Sequence, residues 1–147
     1  MMTTTVKLAA GAAIAAGCAV GVLATPAQAA PSSPCSATAR ACVDLSSQQA
    51  WLMRGGVVTY GPVPVKTGMA SAPTDPGTFR VTFKDLHHRS TIFNNAPMPY
   101  SVFFNGGDAF HEGSLTDPSH GCVHLSATAA ATFYRSLTPG DVVQVVR

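Results

Sequence analysis

Apolar and polar positions alternate differently in successive parts of this chain, and each change of pattern marks an element. Leu8 to Ala24 is an almost unbroken apolar run behind a single charge, Lys7. Pro26 ends the run, and Ala27-Gln28-Ala29 then places small residues where a signal peptidase cuts. A charged start, an apolar middle and an A-x-A end describe a secretory signal peptide over residues 1–29. The run is about long enough to span a bilayer, but its Ala and Gly content and its cleavage site argue against a retained anchor. Ala15-Ala16-Gly17-Cys18 offers a lipidation site as an alternative, although Ala19 to Ala24 stays apolar where such a site has polar sequence.

Residues 30–42 are rich in Pro, Ser and Ala and read as a short linker. From residue 43 the runs become short and β-like. Val43-Asp44-Leu45, Ala50 to Met53, Val57 to Tyr60 and Val63-Pro64-Val65 are separated by turns, Arg54-Gly55-Gly56 the clearest. The prolines near Val63 predict an edge or irregular strand. Thr67 to Gly77 reads as a long surface loop. Thr78 to Phe83 alternates with period two and predicts one strand. Tyr100 to Phe104 and Ala109-Phe110-His111 flank Asn105-Gly106-Gly107-Asp108, a hairpin signal that places His111 near a strand end. Ser126 caps a helix reaching Leu137, Pro139-Gly140-Asp141 stops it, and Val142 to Val146 is a last strand. Residues 43–147 therefore predict one mainly β domain with one helix before the final strand. Trp51 and Phe79 are expected in its core, and His87-His88-Arg89 in a polar loop.

Charge narrows the partners little. The chain holds nine Lys and Arg against seven Asp and Glu, and Lys7 leaves with the leader. So small an excess gives no support for nucleic acid or an anionic membrane as partner. Secretion makes the cysteines informative. Cys35 and Cys42, close together outside the reducing cytosol, predict a local disulfide. Cys122 is then the odd thiol, and in a secreted chain an odd thiol suggests intermolecular pairing or reactivity.

The surroundings of Cys122 favour reactivity. His111, His120 and His124 all lie within eleven residues of it, and imidazole moves protons near neutral pH. Gly121 lets the backbone approach a ligand, so the amides of Gly121 and Cys122 suit a developing oxyanion. Nucleophile, base and backbone donors are the three parts of acyl transfer.

Ser119-His120-Gly121-Cys122-Val123-His124-Leu125 resembles the signature of the L,D-transpeptidase catalytic domain, a Ser/Thr-His-Gly-Cys core preceded by a separate histidine. The similarity extends to Val43-Asp44-Leu45-Ser46, Lys66-Thr67-Gly68, Pro76-Gly77-Thr78-Phe79, Met98-Pro99-Tyr100, Phe110-His111 and Gly140-Asp141-Val142-Val143. It implies a β-sandwich or barrel, an extracytoplasmic place at the cell wall, and peptidoglycan stem peptides as partners. It also implies that Cys122 attacks the carbonyl between the third and fourth stem residues, with His111 as base. A neighbouring stem amine would then take the acyl group, giving a 3→3 cross-link. Ser119, His120, Gly121 and His124 carry over as the oxyanion and supporting side, and Tyr100 as a groove residue. A carbapenem, mimicking the stem carbonyl, would acylate the thiol. No cofactor or metal is implied, and a monomer is expected. Two features depart from many members: the spacer between His111 and Ser119 is short, and His124 stands where Arg or Asn is common.

Other readings remain. Water as acceptor would make the same site an L,D-carboxypeptidase. His120, Cys122 and His124 alternate, so on one strand they would share a face, and with His111 they suit a zinc site. A non-catalytic wall-binding protein is disfavoured by the complete set of nucleophile and base.

Overall fold

The computed structural model describes residues 29–147; the signal-peptide reading of residues 1–29, apart from Ala29 itself, and the Cys18 reading lie outside them. The chain runs β1 (Ala41–Asp44), β2 (Gln49–Arg54), β3 (Val57–Pro64), β4 (Gly77–Arg80), β5 (Phe83–Arg89), β6 (Pro97–Asn105), β7 (Asp108–Glu112), β8 (Val123–Leu125), α1 (Ala127–Ser136) and β9 (Val142–Val146). Two sheets result, one ordered β3-β2-β1-β9-β4 and the other β5-β6-β7-β8. They and α1 close over a single main core containing Val43, Leu52, Val102, Phe104, Phe110, Phe133 and Val145. This is the mainly β domain that the alternation predicts. Among the described residues no helix is long and apolar enough to cross a membrane.

Period two decides which side chains leave that core. Along β6 and β7, Val102, Phe104 and Phe110 point inward, so Phe103, Ala109 and His111 point outward. In β8, Val123 and Leu125 are fully buried and His124 between them is turned out. The parallel pairing of β7 with β8 sets His111 opposite His124. Two histidines thus meet on the outer face of the second sheet because their neighbours are core residues.

The helix follows its predicted bounds. Ser126 accepts a hydrogen bond from the Ala129 amide, Leu137 is the C-cap, and Ala129, Ala130, Ala131 and Phe133 are buried. The strand expected over Thr78 to Phe83 is instead two strands in different sheets. Val81 points into the core at 3% exposure and bonds its backbone to Gly140 and Asp141. The chain crosses from one sheet to the other there, and alternation alone cannot reveal such a crossing. His87, His88 and Arg89 lie in β5 and not in a loop, paired with Pro99, Met98 and Pro97. Thr67 to Gly77 is likewise no free surface loop, since Thr67 and Thr74 are buried.

At the N-terminal side, Ala39, Ala41 and Cys42 are fully buried, and β1 begins at Ala41. The segment expected as linker therefore packs at its end. It lies over the outer face of the first sheet, where Ala39, Cys42, Trp51 and Met53 form a second, smaller cluster. Cys35 and Cys42 are joined by a disulfide, and Cys122 is free. Replacing both Cys35 and Cys42 with serine should lower stability by about 2–3 kcal/mol, the chain-entropy value for so short a loop. Urea melts of the two proteins would check this, with turnover expected to persist because the bridge lies on the other sheet.

Candidate active site

Cys122 follows a tight turn that the rest of the fold holds from three sides. Gly121 has φ +126°, a conformation L side chains rarely adopt, and a Cβ there would collide with the Asp108 carboxylate. The Ser119 hydroxyl donates to the Cys122 carbonyl and accepts from the Gly121 amide at 3.1 Å. Thr74, 2% exposed, donates its hydroxyl to the Gly121 carbonyl at 2.7 Å and accepts from the Gly68 amide. Backbone bonds from Met69 to Ser119 and from Ser119 to Thr67 complete the support. The Thr67–Gly77 segment is thus a buttress beneath the cysteine turn. Gly121→Ala should cost about 1–3 kcal/mol of stability, the usual range for a forced strained residue. It should also displace the thiol; denaturant melts and turnover measured on one preparation would check both.

A cavity of about 520 Å³ opens on the outer face of the second sheet. Cys122, His111, His124, Asp108, Ser119 and His120 line it together with the β5–β6 loop. The cysteine rests against Met98, Phe103 and Ala109. His111 is 6% exposed, and its Nδ1 donates to the Glu112 backbone carbonyl at 2.7 Å. That bond leaves Nε2 as the lone-pair nitrogen. Orientation of His111 therefore comes from the Glu112 main chain and not from its carboxylate.

Burial holds His111 far below the ordinary histidine range, at about 4, and the nearby His124 and His88 rings add to this against the Glu112 bond. Burial also pushes the Cys122 thiol up to about 11, helped by the Asp108 carboxylate and opposed by a bond with the Ala109 backbone. At neutral pH both groups are uncharged. The thiol directs its proton to the Gly107 carbonyl, 3.7 Å away. Asp108 is itself raised, first by burial and then by Asp75, against a bond from Asn105. The resting site is thus a neutral thiol beside a neutral imidazole, with no preformed ion pair.

The remaining expected residues divide clearly. His124 donates from Nδ1 to the Ser114 carbonyl, 3.0 Å away, and its ring meets the His111 ring edge-on with centroids 4.8 Å apart. It packs on Gly113, where a Cβ would lie 2.6 Å from the ring. His120 is exposed and lies against Phe93 of the β5–β6 loop at 4.4 Å. Tyr100 faces Tyr134 and the main core and does not line the cavity. The Gly121 amide, expected among the oxyanion donors, is taken by Ser119. The shared strand face imagined for a zinc set does not form, because residues 119–122 turn and only His124 lies on β8. Among the described residues no three His, Cys, Asp or Glu side chains are placed to hold a metal ion. Asp108 and Thr74 were not foreseen. Asp108 opens β7 straight after the turn of a recognisable hairpin, but nothing in its neighbours announces that it reaches the cysteine 14 residues on.

Comparison with known proteins agrees with this geometry. The family model for the L,D-transpeptidase catalytic domain (YkuD) matches residues 38–145. No curated protein matches the sequence. Among solved structures, an L,D-transpeptidase from Stackebrandtia nassauensis is 34% identical with a TM-score of 0.69, covering 73% of this chain and 54% of that one. One from Xylanimonas cellulosilytica is 25% identical at TM-score 0.66, covering 77% and 63%. One from Mycobacterium tuberculosis H37Rv, 22% identical at TM-score 0.68 and covering 73% and 57%, shares the fold. The chain spans little more than half the length of these structures. With the family model matching most of its length around the Ser119–Leu125 segment, the chain belongs to the L,D-transpeptidase catalytic domain family.

Proposed function

We propose that this protein is an extracytoplasmic cysteine acyltransferase that joins peptidoglycan stem peptides through a thioester on Cys122. The observation that carries the reading is a free thiol in a cavity that also holds an imidazole with a fixed tautomer. As Cys122 Sγ attacks the stem carbonyl, His111 Nε2 takes the thiol proton and the S–C bond forms. The carbonyl electrons move to oxygen, where the Cys122 amide, which makes no hydrogen bond among the described residues, is the supporting donor. The imidazolium then gives its proton to the departing amine of the terminal D-residue as the C–N bond breaks. An amine of a second stem attacks the thioester, His111 accepts its proton, and the thiol is restored with the product amide. Binding energy is best used here on the transition state, because the resting pair is neutral and unbonded.

Incubation with purified tetrapeptide muropeptides, followed by mass analysis, tests the proposal. Dimers carrying the mass of a stem pair less one free D-amino acid are expected. Trimmed monomers alone would assign water as acceptor and make the enzyme an L,D-carboxypeptidase. Unchanged muropeptides, with no carbapenem adduct on Cys122, would overturn the acyltransferase reading. The signal-peptide pattern and the disulfide support an extracytoplasmic place; intact mass of the exported chain, expected to begin at Ala30, tests that part separately.

A further inference from the structure

A second cavity, of about 400 Å³, lies between the β2–β3 hairpin and the C-terminal end of α1 and shares no residue with the active-site cavity. Three of the six arginines of the chain, Arg40, Arg54 and Arg135, line it, together with Tyr60 and Ser136. No Asp or Glu lines it. Arg40 is anchored, with its backbone carbonyl accepting from the Met53 amide at 2.9 Å and its Nη2 donating to the Ser136 carbonyl at 3.2 Å. Its Nε is buried without a hydrogen-bond partner, and the Asp141 carboxylate stands off at 3.8 Å. Arg54 and Arg135 form no ion pair among the described residues, and neither the Tyr60 nor the Ser136 hydroxyl makes a hydrogen bond among them.

We infer that this cavity is an anion site for a phosphate group carried on a larger molecule. Like charges gathered around one concavity repel unless an anion sits among them. A guanidinium presents its donors as a planar fork, and one fork satisfies a carboxylate. Arg54 at a strand end, Arg135 near a helix end and Arg40 in the segment before β1 bring three separate guanidiniums to one cavity, more donors than one carboxylate uses and enough for the several oxygens of phosphate. Asp141 offsets part of the Arg40 charge, leaving roughly two positive charges for a group of about −1 to −2. The ring of Tyr60 offers an apolar wall to the carbon portion of such a ligand.

Titration of the folded protein in chloride buffer, followed by 15N spectra of the arginine Nε–H groups, tests this. Inorganic phosphate, glycerol 3-phosphate and a short poly(glycerol phosphate) are the probes, separating free phosphate, monoester and diester sources. Saturable shifts of the Arg40, Arg54 and Arg135 resonances are expected with glycerol 3-phosphate or the polymer, at lower concentration than with inorganic phosphate, and saturation by inorganic phosphate alone would overturn the larger ligand. Arg54→Gln with Arg135→Gln, both at exposed positions, should weaken binding at least about tenfold, each fork contributing charge-assisted bonds. The double variant should melt as the parent does without ligand and keep its turnover. Shifts that never saturate, that persist unchanged in the double variant, or that map to the Cys122 cavity alone would each overturn the inference.

Discussion

Replacing Cys122 with alanine should abolish turnover while leaving the fold essentially unchanged. The side chain rests on the edge of a small cluster and contributes no hydrogen bond that holds the turn. The turn is held by Ser119, Thr74 and the Gly121 conformation, none of which needs the sulfur. The stability change should therefore stay within about 1 kcal/mol, as for substitutions that create no large cavity and orphan no polar group. Chemistry has no substitute, because the described residues contain no other free thiol. The measurement is product formation from muropeptides alongside a thermal melt. Normal turnover in the variant would sink the nucleophile assignment, whereas an unfolded variant would show that the sulfur is structural.

Loss of the His111 imidazole should have the next largest effect, a fall in turnover of about 10²–10⁴-fold, the usual contribution of a positioned general base. Its buried state adds a pH signature. The free enzyme should keep its base unprotonated down to about pH 4, where His111 titrates. The acid limb of kcat/KM should accordingly lie near 4 and not near 6.5. Stability follows the same group. Between pH 6.5 and 4 the unfolded chain carries the extra proton, so stability falls as pH drops through that window, by about 3 kcal/mol in all. His111→Gln should remove that part of the acid loss. Paired denaturant melts at pH 7 and pH 4.5 would decide it, and an equal loss in both proteins would show the imidazole to be solvated.

Much of the domain could be read from alternation because most strands have one buried face. The β6–β7 hairpin, α1 with its Ser126 cap, and β9 all occur where the pattern puts them. What escaped was long-range. Thr78 to Phe83 looks continuous, yet Val81 turns it from one sheet into the other. Thr67 to Gly77 has the composition of a loop, yet Thr74 spends its hydroxyl on a carbonyl 47 residues away. His87-His88-Arg89 reads as polar loop because β5 exposes one face and lies at a sheet edge.

The site divides in the same way. That Cys122 and His111 share one cavity was legible because a thiol, a glycine and histidines lie in a short segment. Asp108 was not, since its bearing on the thiol depends on the hairpin turn folding back onto Gly121. Glu112 holds the imidazole through its main-chain carbonyl, a contact that its residue type does not announce. Tyr100 stood beside the recognisable segments and proved to belong to the core packing around Tyr134.

The raised thiol has a consequence for the protein's durability. Oxidation and adventitious alkylation proceed through the thiolate. A group titrating at about 11 keeps roughly one molecule in ten thousand in that form at pH 7. The two other described cysteines are locked to each other on the far sheet, so no neighbouring sulfur is on hand to trap a sulfenic acid. At the extracytoplasmic place proposed above, with no cytosolic reductant to rescue it, such a thiol gains shelf life by staying chemically quiet until a substrate is seated.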